Sequence, residues 1–397
     1  MNLTKKTKVI IIAVNALLLI FIGICLYFIH LHSHTLLSQQ AVRFWAGQHE
    51  GRFAQVSYFL PLDANLEERD IFAFRSTINQ KLTDVGIELP ETGTLWTDAY
   101  SATASLTVSS DRLTTTVTAI GVGGNFFLFH PHQLLSGSYL SDDSLMRDKV
   151  VLDYELAWGL FGSTQVEGMT VRIGGRPYYV AGVVRRETDR FSERAHSGDP
   201  IIYMHYCALR SEIEGISIMN YELVIPDPIS NFAVNVVSDA FPAGLVVENS
   251  TRYNFMSIVN IFRNFGDRSV IADGLILPYW ENAARISEVY IARLYALIAL
   301  LAIFPLICFA FVAFILIKFI ANMLKFLANL IWNAWDDRYA ILETHSRRRR
   351  GLRRRRALHE GPAPEHDIRT YAEKAEDDIM LDIESIVKEI LDENERG

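Results

Sequence analysis

Histidines offer this sequence its most obvious chemistry. His30, His32 and His34 alternate in HLHSH, and His130 and His132 flank Pro131 in HPH. Neutral imidazoles that converge on one point can hold a transition metal. The first set follows an apolar run, and on a helix a two-residue step fans the rings around the axis. That favours an interfacial cluster over a metal centre. The second set sits in a turn-like HPH and is likewise assigned no metal. Residues 121–124, GVGG, lack the third spaced glycine of a dinucleotide fingerprint and read as the end of a strand. The sequence contains no G-x-x-x-x-G-K-[ST], G-x-S-x-G or H-E-x-x-H, and no Cys–His nucleophile pair. Carboxylates are plentiful, but nothing singles out an acid/base pair. The sequence therefore predicts no catalytic, cofactor-binding or metal-binding residue.

The positions of apolar and basic residues say more. Residues 9–28, VIIIAVNALLLIFIGICLYF, are twenty residues without a charge. As a helix they extend about 30 Å, the hydrocarbon thickness of a bilayer. A cleaved signal peptide is the alternative, since Lys5, Lys6 and Lys8 would serve as its positive region. The run is long for that, and no small-x-small site follows it. An uncleaved anchor is expected. Residues 294–317 form a second charge-free run, twenty-four residues bounded by Arg293 and Lys318 and containing Pro305. Arg347, Arg348, Arg349, Arg350, Arg353, Arg354, Arg355 and Arg356 come next, so residues 318–356 hold eleven basic and three acidic side chains.

Basic flanks stay in the cytoplasm. The lysines at the start and the arginines after the second run therefore orient two spans with both termini inside. The predicted order is a cytoplasmic start (1–8), a first span (9–28), an extracytoplasmic domain with stalk helices (29–293) and a second span (294–317). A basic juxtamembrane segment (318–358), a linker (359–366) and an acidic amphipathic helical tail (367–397) complete the chain. The domain carries thirty acidic against twenty basic groups, and the overall net charge is −8. Three cysteines, two of them inside the apolar runs, exclude a disulfide scaffold. The arginine run is assigned to anionic lipid rather than nucleic acid, because it lies close to a span and has no interleaved stacking aromatics.

Within the domain the fold class reads as α+β. Residues 53–60 are strand-like. Residues 66–85 form a helix with Ile71, Phe74, Ile78 and Leu82 on one face. Residues 96–109 and 113–122 form a hairpin around Asp111. Residues 38–45 and 279–290 read as stalk helices that carry the spans outward, with Tyr279, Trp280 and Tyr290 in the interfacial zone. In residues 150–184 a short strand meets Asp153, an N-cap for a helix through Phe161 whose buried side is Leu156, Ala157, Leu160 and Phe161. Gly162 stops that helix in the left-handed region. A hairpin turned by Gly174 and Gly175 follows.

Leu160, Phe161 and Gly162, then Gly168, Val171, Ile173, Gly174, Gly175, Val180, Gly182 and Val183, give a helix ending LFG followed by G-x-x-V-x-I-x-G-x-x-x-x-V-x-G-V. With AIGVGGNFF and LLSGSYL ahead of it, this pattern resembles the extracytoplasmic core domain of MacB-type ABC transporter permeases over residues 95–206. The resemblance implies a bacterial cell-membrane protein whose outer domain binds a partner or cargo and rides on stalk helices moved by a separate cytoplasmic ATPase. Further permease subunits, or a second copy of the chain, would be its partners. The family's permeases have four spans and this chain shows two, which implies a reduced, noncatalytic relative. The other reading open at this point is an envelope scaffold or signalling protein acting through the outer domain and the tail helix.

Overall fold

A computed structural model describes residues 4–48, 51–241, 244–263 and 275–357. The chain divides into two compact units, Met1–Cys308 and Phe309–Gly397. Helix α1 is Lys5–Ser33, with Thr4 as N-cap accepting from the Thr7 amide. After a 3-10 turn at Leu37–Gln39 comes the short α2, Ala41–Trp45. The chain continues as β1 (Phe53–Phe59), α3 (Glu68–Asp84), β2 (Thr97–Ser109), β3 (Thr114–Gly124), α4 (Phe126–Phe129) and β4 (Gln133–Gly137). Then follow β5 (Lys149–Asp153), α5 (Tyr154–Phe161), β6 (Thr170–Ile173), β7 (Arg176–Arg185), α6 (Arg190–Ala195), β8 (Ile201–His205) and α7 (Tyr206–Glu212). The last elements are β9 (Asn220–Pro226), α8 (Phe232–Ala240), β10 (Leu245–Glu248), α9 (Phe255–Arg263) and α10 (Tyr279–Ala357).

The strands form one mixed sheet in the order β10-β1-β9-β2-β3-β8-β5-β7-β4, with β6 pairing β2 and β7. Among the described residues, β3–β8 and β5–β7 are parallel pairs and the other pairs are antiparallel. Successive strand residues face opposite sides, and both sides of this sheet are covered. One face packs Ala54, Val56, Tyr58, Leu223 and Ile225 against α3, α5, α7 and α8. The other packs Phe53, Ile120, Val122, Tyr203 and Val224 with Ala41 of α2, Phe126 and Phe129 of α4, and Trp280 of α10. The first is the outer face and the second, which meets α2 and the start of α10, the stalk face.

The expected helix over 66–85 is α3, and its four stripe residues are all buried. The expected hairpin is β2–β3, in register from Ala99–Gly124 to Ser109–Thr114. Asp153 caps α5 by accepting from the Leu156 amide, and Gly162 closes it at φ 72°. That angle is in the left-handed region, where a Cβ is penalised. Leu160 is fully buried at the end of α5 while Phe161 is only half-buried. Gly168 lies in the turn before β6, and Gly174 and Gly175 make the β6–β7 turn, all with positive φ. Gly182 lies where β7 passes close to the end of β4: a Cβ there would sit 2.5 Å from the Ser138 carbonyl oxygen. Only glycine permits that approach.

Two expectations about the stalks are corrected. The helix that holds the first apolar run does not continue into residues 38–45. It ends at Ser33, and the chain turns through His34, whose φ of −114° is no longer helical, before the 3-10 turn and α2. The second stalk does continue without a break, since α10 runs from Tyr279 through Pro305. Its first aromatics, however, are not at a membrane interface. Trp280 is 2% exposed and belongs to the stalk-face core, with Tyr279 packed against the same core. The helix starts inside the domain.

Candidate functional site: the junction of sheet and stalk

Polar side chains gather where the stalk face meets the first turns of α10. Glu281, Arg285 and Glu288 follow one another at steps of four and three, so they share one helix face. Arg252, in the turn between β10 and α9, is buried against that face. Its Nη1 and Nη2 each donate to a Glu281 carboxylate oxygen at 2.7 Å, and its Nε donates to Glu288 at 2.6 Å. Arg285 Nε donates to Glu281 at 2.9 Å, so two guanidiniums face two carboxylates. A planar guanidinium suits such a site because its donors are fixed in a fork. Burial works to lower the Arg252 pKa, but the charges of Glu281 and Glu288 outweigh it and hold the group above its ordinary range. Burial tends to raise the Glu281 pKa, and Arg252 with Arg285 reverses this, leaving the carboxyl below its usual value.

The same guanidinium reaches the chain that rises from the first apolar helix. Arg252 Nη1 donates to Gln39 Oε1 at 3.2 Å. Next to it, Gln55 of β1 donates to the Ser38 carbonyl at 2.7 Å and accepts from the Ala41 amide at 2.9 Å. The network then crosses the sheet. Asn249 donates to Ser57 Oγ at 2.6 Å, and Ser57 donates to Glu222 at 3.2 Å. Glu222 Oε2 lies 2.5 Å from His130 Nε2, and the His130 ring lies 4.3 Å from that of Trp280. Both segments that lead to the apolar helices are thus tied to β1 and β9 through buried polar contacts.

A second cluster surrounds Tyr279. Its hydroxyl donates to Glu187 at 3.3 Å and its ring stacks on His196 at 4.1 Å. His132 Nε2 is 2.9 Å from the Tyr203 hydroxyl, and its Nδ1 is 3.4 Å from Glu187. Burial lowers the pKa of both His132 and His196, with Glu187 opposing in each case. His130 is therefore a buried ring partner of Trp280 in α10, and His132 a buried ring partner of Phe127 and Tyr203. No group of three or more metal-capable side chains occurs among the described residues.

The HLHSH histidines separate as well. His32 fits edge-on between Phe191 of α6 and Tyr290 of α10, and burial followed by the charge of Arg190 lowers its pKa. His30 and His34 approach each other, ring centroids 4.6 Å apart. Lys5, Lys6 and Lys8 lie in the first turns of α1. The eight arginines lie within the backbone of α10, and the linker and tail helix fall outside the described residues. Leu160, Phe161, Gly162, Gly168, Gly174, Gly175 and Gly182 shape α5 and the β6–β7 region, not the junction. Sequence reasoning missed Arg252, Glu222 and Glu187. The 281/285/288 spacing was a readable signal for the other half of the hub.

Above the junction, Arg75 and Asp98 form a two-point pair at 2.8 Å beside a cavity of about 740 Å³. Phe44, Trp96 and Phe127 contribute its aromatic wall, and Asp142 and Asp143 its acidic side.

A mixed α/β head joined to two long apolar helices defines a membrane-attached module, and its family follows from the sequence match. The family model of the MacB-like periplasmic core domain matches residues 10–240. That is more than half of the chain, and the chain belongs to this family. The match extends beyond both ends of the motif region around LFG. Among solved structures, the chain is similar to the extracellular domain of the noncanonic ABC-type transporter YknZ from Gram-positive bacteria. Identity is 18%, coverage is 49% of this chain and 100% of that one, and the TM-score is 0.34. It is also similar to the periplasmic region of MacB from Actinobacillus actinomycetemcomitans, with 16% identity, coverage of 55% and 94%, and a TM-score of 0.34. No curated protein matches the chain.

Proposed function

We propose that the chain is a noncatalytic membrane subunit of an ABC-type system, with two spans, both termini cytoplasmic, and an outer domain whose stalk is moved by a separate ATPase. The observation that carries this reading is the Arg252 hub. One buried guanidinium holds Glu281 and Glu288 of α10, Gln39 of the other stalk segment, and a polar chain into the sheet. A displacement of either segment is passed to β1 and β9 because breaking such a tie strands a buried charge, at a cost of about 3–5 kcal/mol. The cavity beside Arg75 is where a partner or cargo would meet the domain. Residues that reach the cytoplasmic side, including the eight arginines, would lie against anionic headgroups.

Crosslinking in native membranes followed by purification tests the reading. An ATP-binding-cassette ATPase should be recovered with the chain in a nucleotide-dependent manner, and the Arg252→Met variant should keep the ATPase but lose nucleotide-dependent protection of β1 and β9 in hydrogen exchange. Recovery of the chain alone would overturn it. Loss of all complexes on deletion of residues 367–397 would favour the scaffold reading instead.

A further inference from the structure

Beyond residue 317 the helix stays apolar for longer than a bilayer can accommodate. Residues 294–335 would extend about 63 Å as a helix, twice the hydrocarbon thickness. Every described side chain from Phe319 to Trp335 is exposed. The segment is not uniformly apolar, however. Lys318, Asn322, Lys325, Asn329 and Asn333 recur at steps of four, three, four and four. At 100° per residue these five fall within an arc of about 80°. Ile320, Leu324, Leu327 and Ile331 mark the middle of the opposite side, and apolar side chains fill roughly 240° between the edges of the stripe.

We infer that α10, which is one continuous helix through this region, bends after Ile317 when it is in a bilayer, and that residues 318–335 then form an interfacial helix seated in the anionic inner leaflet, with the Lys/Asn stripe among the headgroups. A continuation of the span would carry two lysines and three asparagines along one lipid-facing line, where each charge costs about 2.5–3.5 kcal/mol near the centre. A protein groove covers a stripe of about 100° and would leave more than half of this apolar arc wet. Lipid covers all of it, and an amphipathic helix with lysines on its polar face lies in the interface with its apolar side about 5–10 Å deep. Charge favours the same occupant, since residues 318–356 carry eleven basic against three acidic side chains. The inference rests on the reading of 294–317 as a span, but not on coupling to an ATPase.

The test uses the full-length chain with Cys25, Cys207 and Cys308 replaced by alanine, reconstituted in phosphatidylcholine–phosphatidylglycerol vesicles. Single nitroxide labels are introduced by cysteine substitution, and their access to oxygen and to a water-soluble nickel chelate is measured. Labels at 320, 324, 327 and 331 should be oxygen-accessible at one common depth of about 5–10 Å. Labels at 322, 329 and 333 should be chelate-accessible, out of phase with the first set. Omitting phosphatidylglycerol should shift the first set toward water. Depth that changes steadily from 320 to 331 would overturn the inference in favour of a longer span. Labels shielded from both reagents would overturn it in favour of a protein groove, and indifference to phosphatidylglycerol would overturn the anionic assignment. Labels at Leu300 and Leu306 keep the two failures apart. If they too are reached by the chelate, it is the span that is wrong, together with the membrane part of the proposed function.

Discussion

The two faces of the sheet are both closed to water, yet they are closed by different physics. The outer face is covered by α3, α5, α7 and α8, and its contacts are chiefly those of Ile, Leu, Val and Tyr side chains. Its two-point ionic contact, Arg75–Asp98, lies at the edge of the cavity. The stalk face also has an apolar core, but Gln55, Ser57, Glu222, His130, Glu281, Glu288 and Arg252 are all buried around it. Apolar contacts are non-directional and tolerate sliding. Buried hydrogen-bonded charges are directional, and they are costly when half-made. A face that must hold a helix in one register is therefore better closed by the second kind, and a face that only needs to stay dry by the first.

The most severe way to break this contrast is to remove the hub. Arg252→Met should cost about 3–5 kcal/mol by removing the buried guanidinium that pairs with Glu281 and Glu288, Arg285 remaining on Glu281. Hydrogen exchange of the purified protein should show lost protection in residues 249–252 and 279–292, while α3 and β9 change less. Combining Arg252→Met with Glu281→Leu and Glu288→Leu should recover most of that loss, since it removes the buried charges together and leaves only Arg285, which is 24% exposed and can reach water. A triple variant as unstable as the single one would show that the cluster's value lies elsewhere. On the outer face, Ile78→Ala should cost about 2–4 kcal/mol through transfer and cavity terms. That loss should appear as a lower global unfolding midpoint, without selective opening of α10.

Acid should act on the stalk face first. His132 and His196 have their pKa values lowered from the ordinary 6.5 by burial. An unfolded chain takes up these protons as pH falls below 6.5 and the folded chain does not, so stability present above 6.5 declines below it. The Glu281 value is depressed from 4.5, so its contribution is held above 4.5 and is lost only as pH falls further through the folded value. Protection of residues 279–292 should therefore begin to decrease below about pH 6.5. His132→Gln with His196→Gln should flatten that decline, and an unchanged pH profile would remove these histidines from the account.

How much of this was legible beforehand depended on the period of the pattern. Ile71, Phe74, Ile78 and Leu82 announced α3 because one side of that helix is wet and the other dry. Asp153 and Gly162 announced α5 because a cap and a left-handed stop are local requirements. β1 was legible as a strand, but its alternation pointed the wrong way: Gln55 and Ser57 alternate with Ala54, Val56 and Tyr58 as a solvent-facing side would, yet every residue of the strand is buried. The aromatic pair Tyr279–Trp280 was read as a membrane-interface signal for a similar reason, since a ring with a polar tip suits a bilayer edge and a buried hydrogen-bond network equally well. Arg252 lies in a turn with no periodicity at all. A hub assembled from residues 39, 249, 252, 281 and 288 exists only once the sheet has brought them together.

The smallest expected effect is the sharpest control on the comparison. Lys81 of α3 donates to Asp239 of α8 at 3.1 Å, an ion pair that bridges two outer-face helices much as Arg252 bridges the stalk segments. Its partners are 41% and 64% exposed, against 2% and 1% for Arg252 and Glu281. Water already solvates both charges when the exposed pair is broken, so Lys81→Met should cost no more than about 0.5 kcal/mol. Raising the salt concentration should erase even that difference, because exposed charges are screened and buried ones are far less so. The same substitution, lysine or arginine to methionine, thus separates the faces by burial alone. If chemical denaturation found Lys81→Met as damaging as Arg252→Met, directional burial would not be what distinguishes the stalk face.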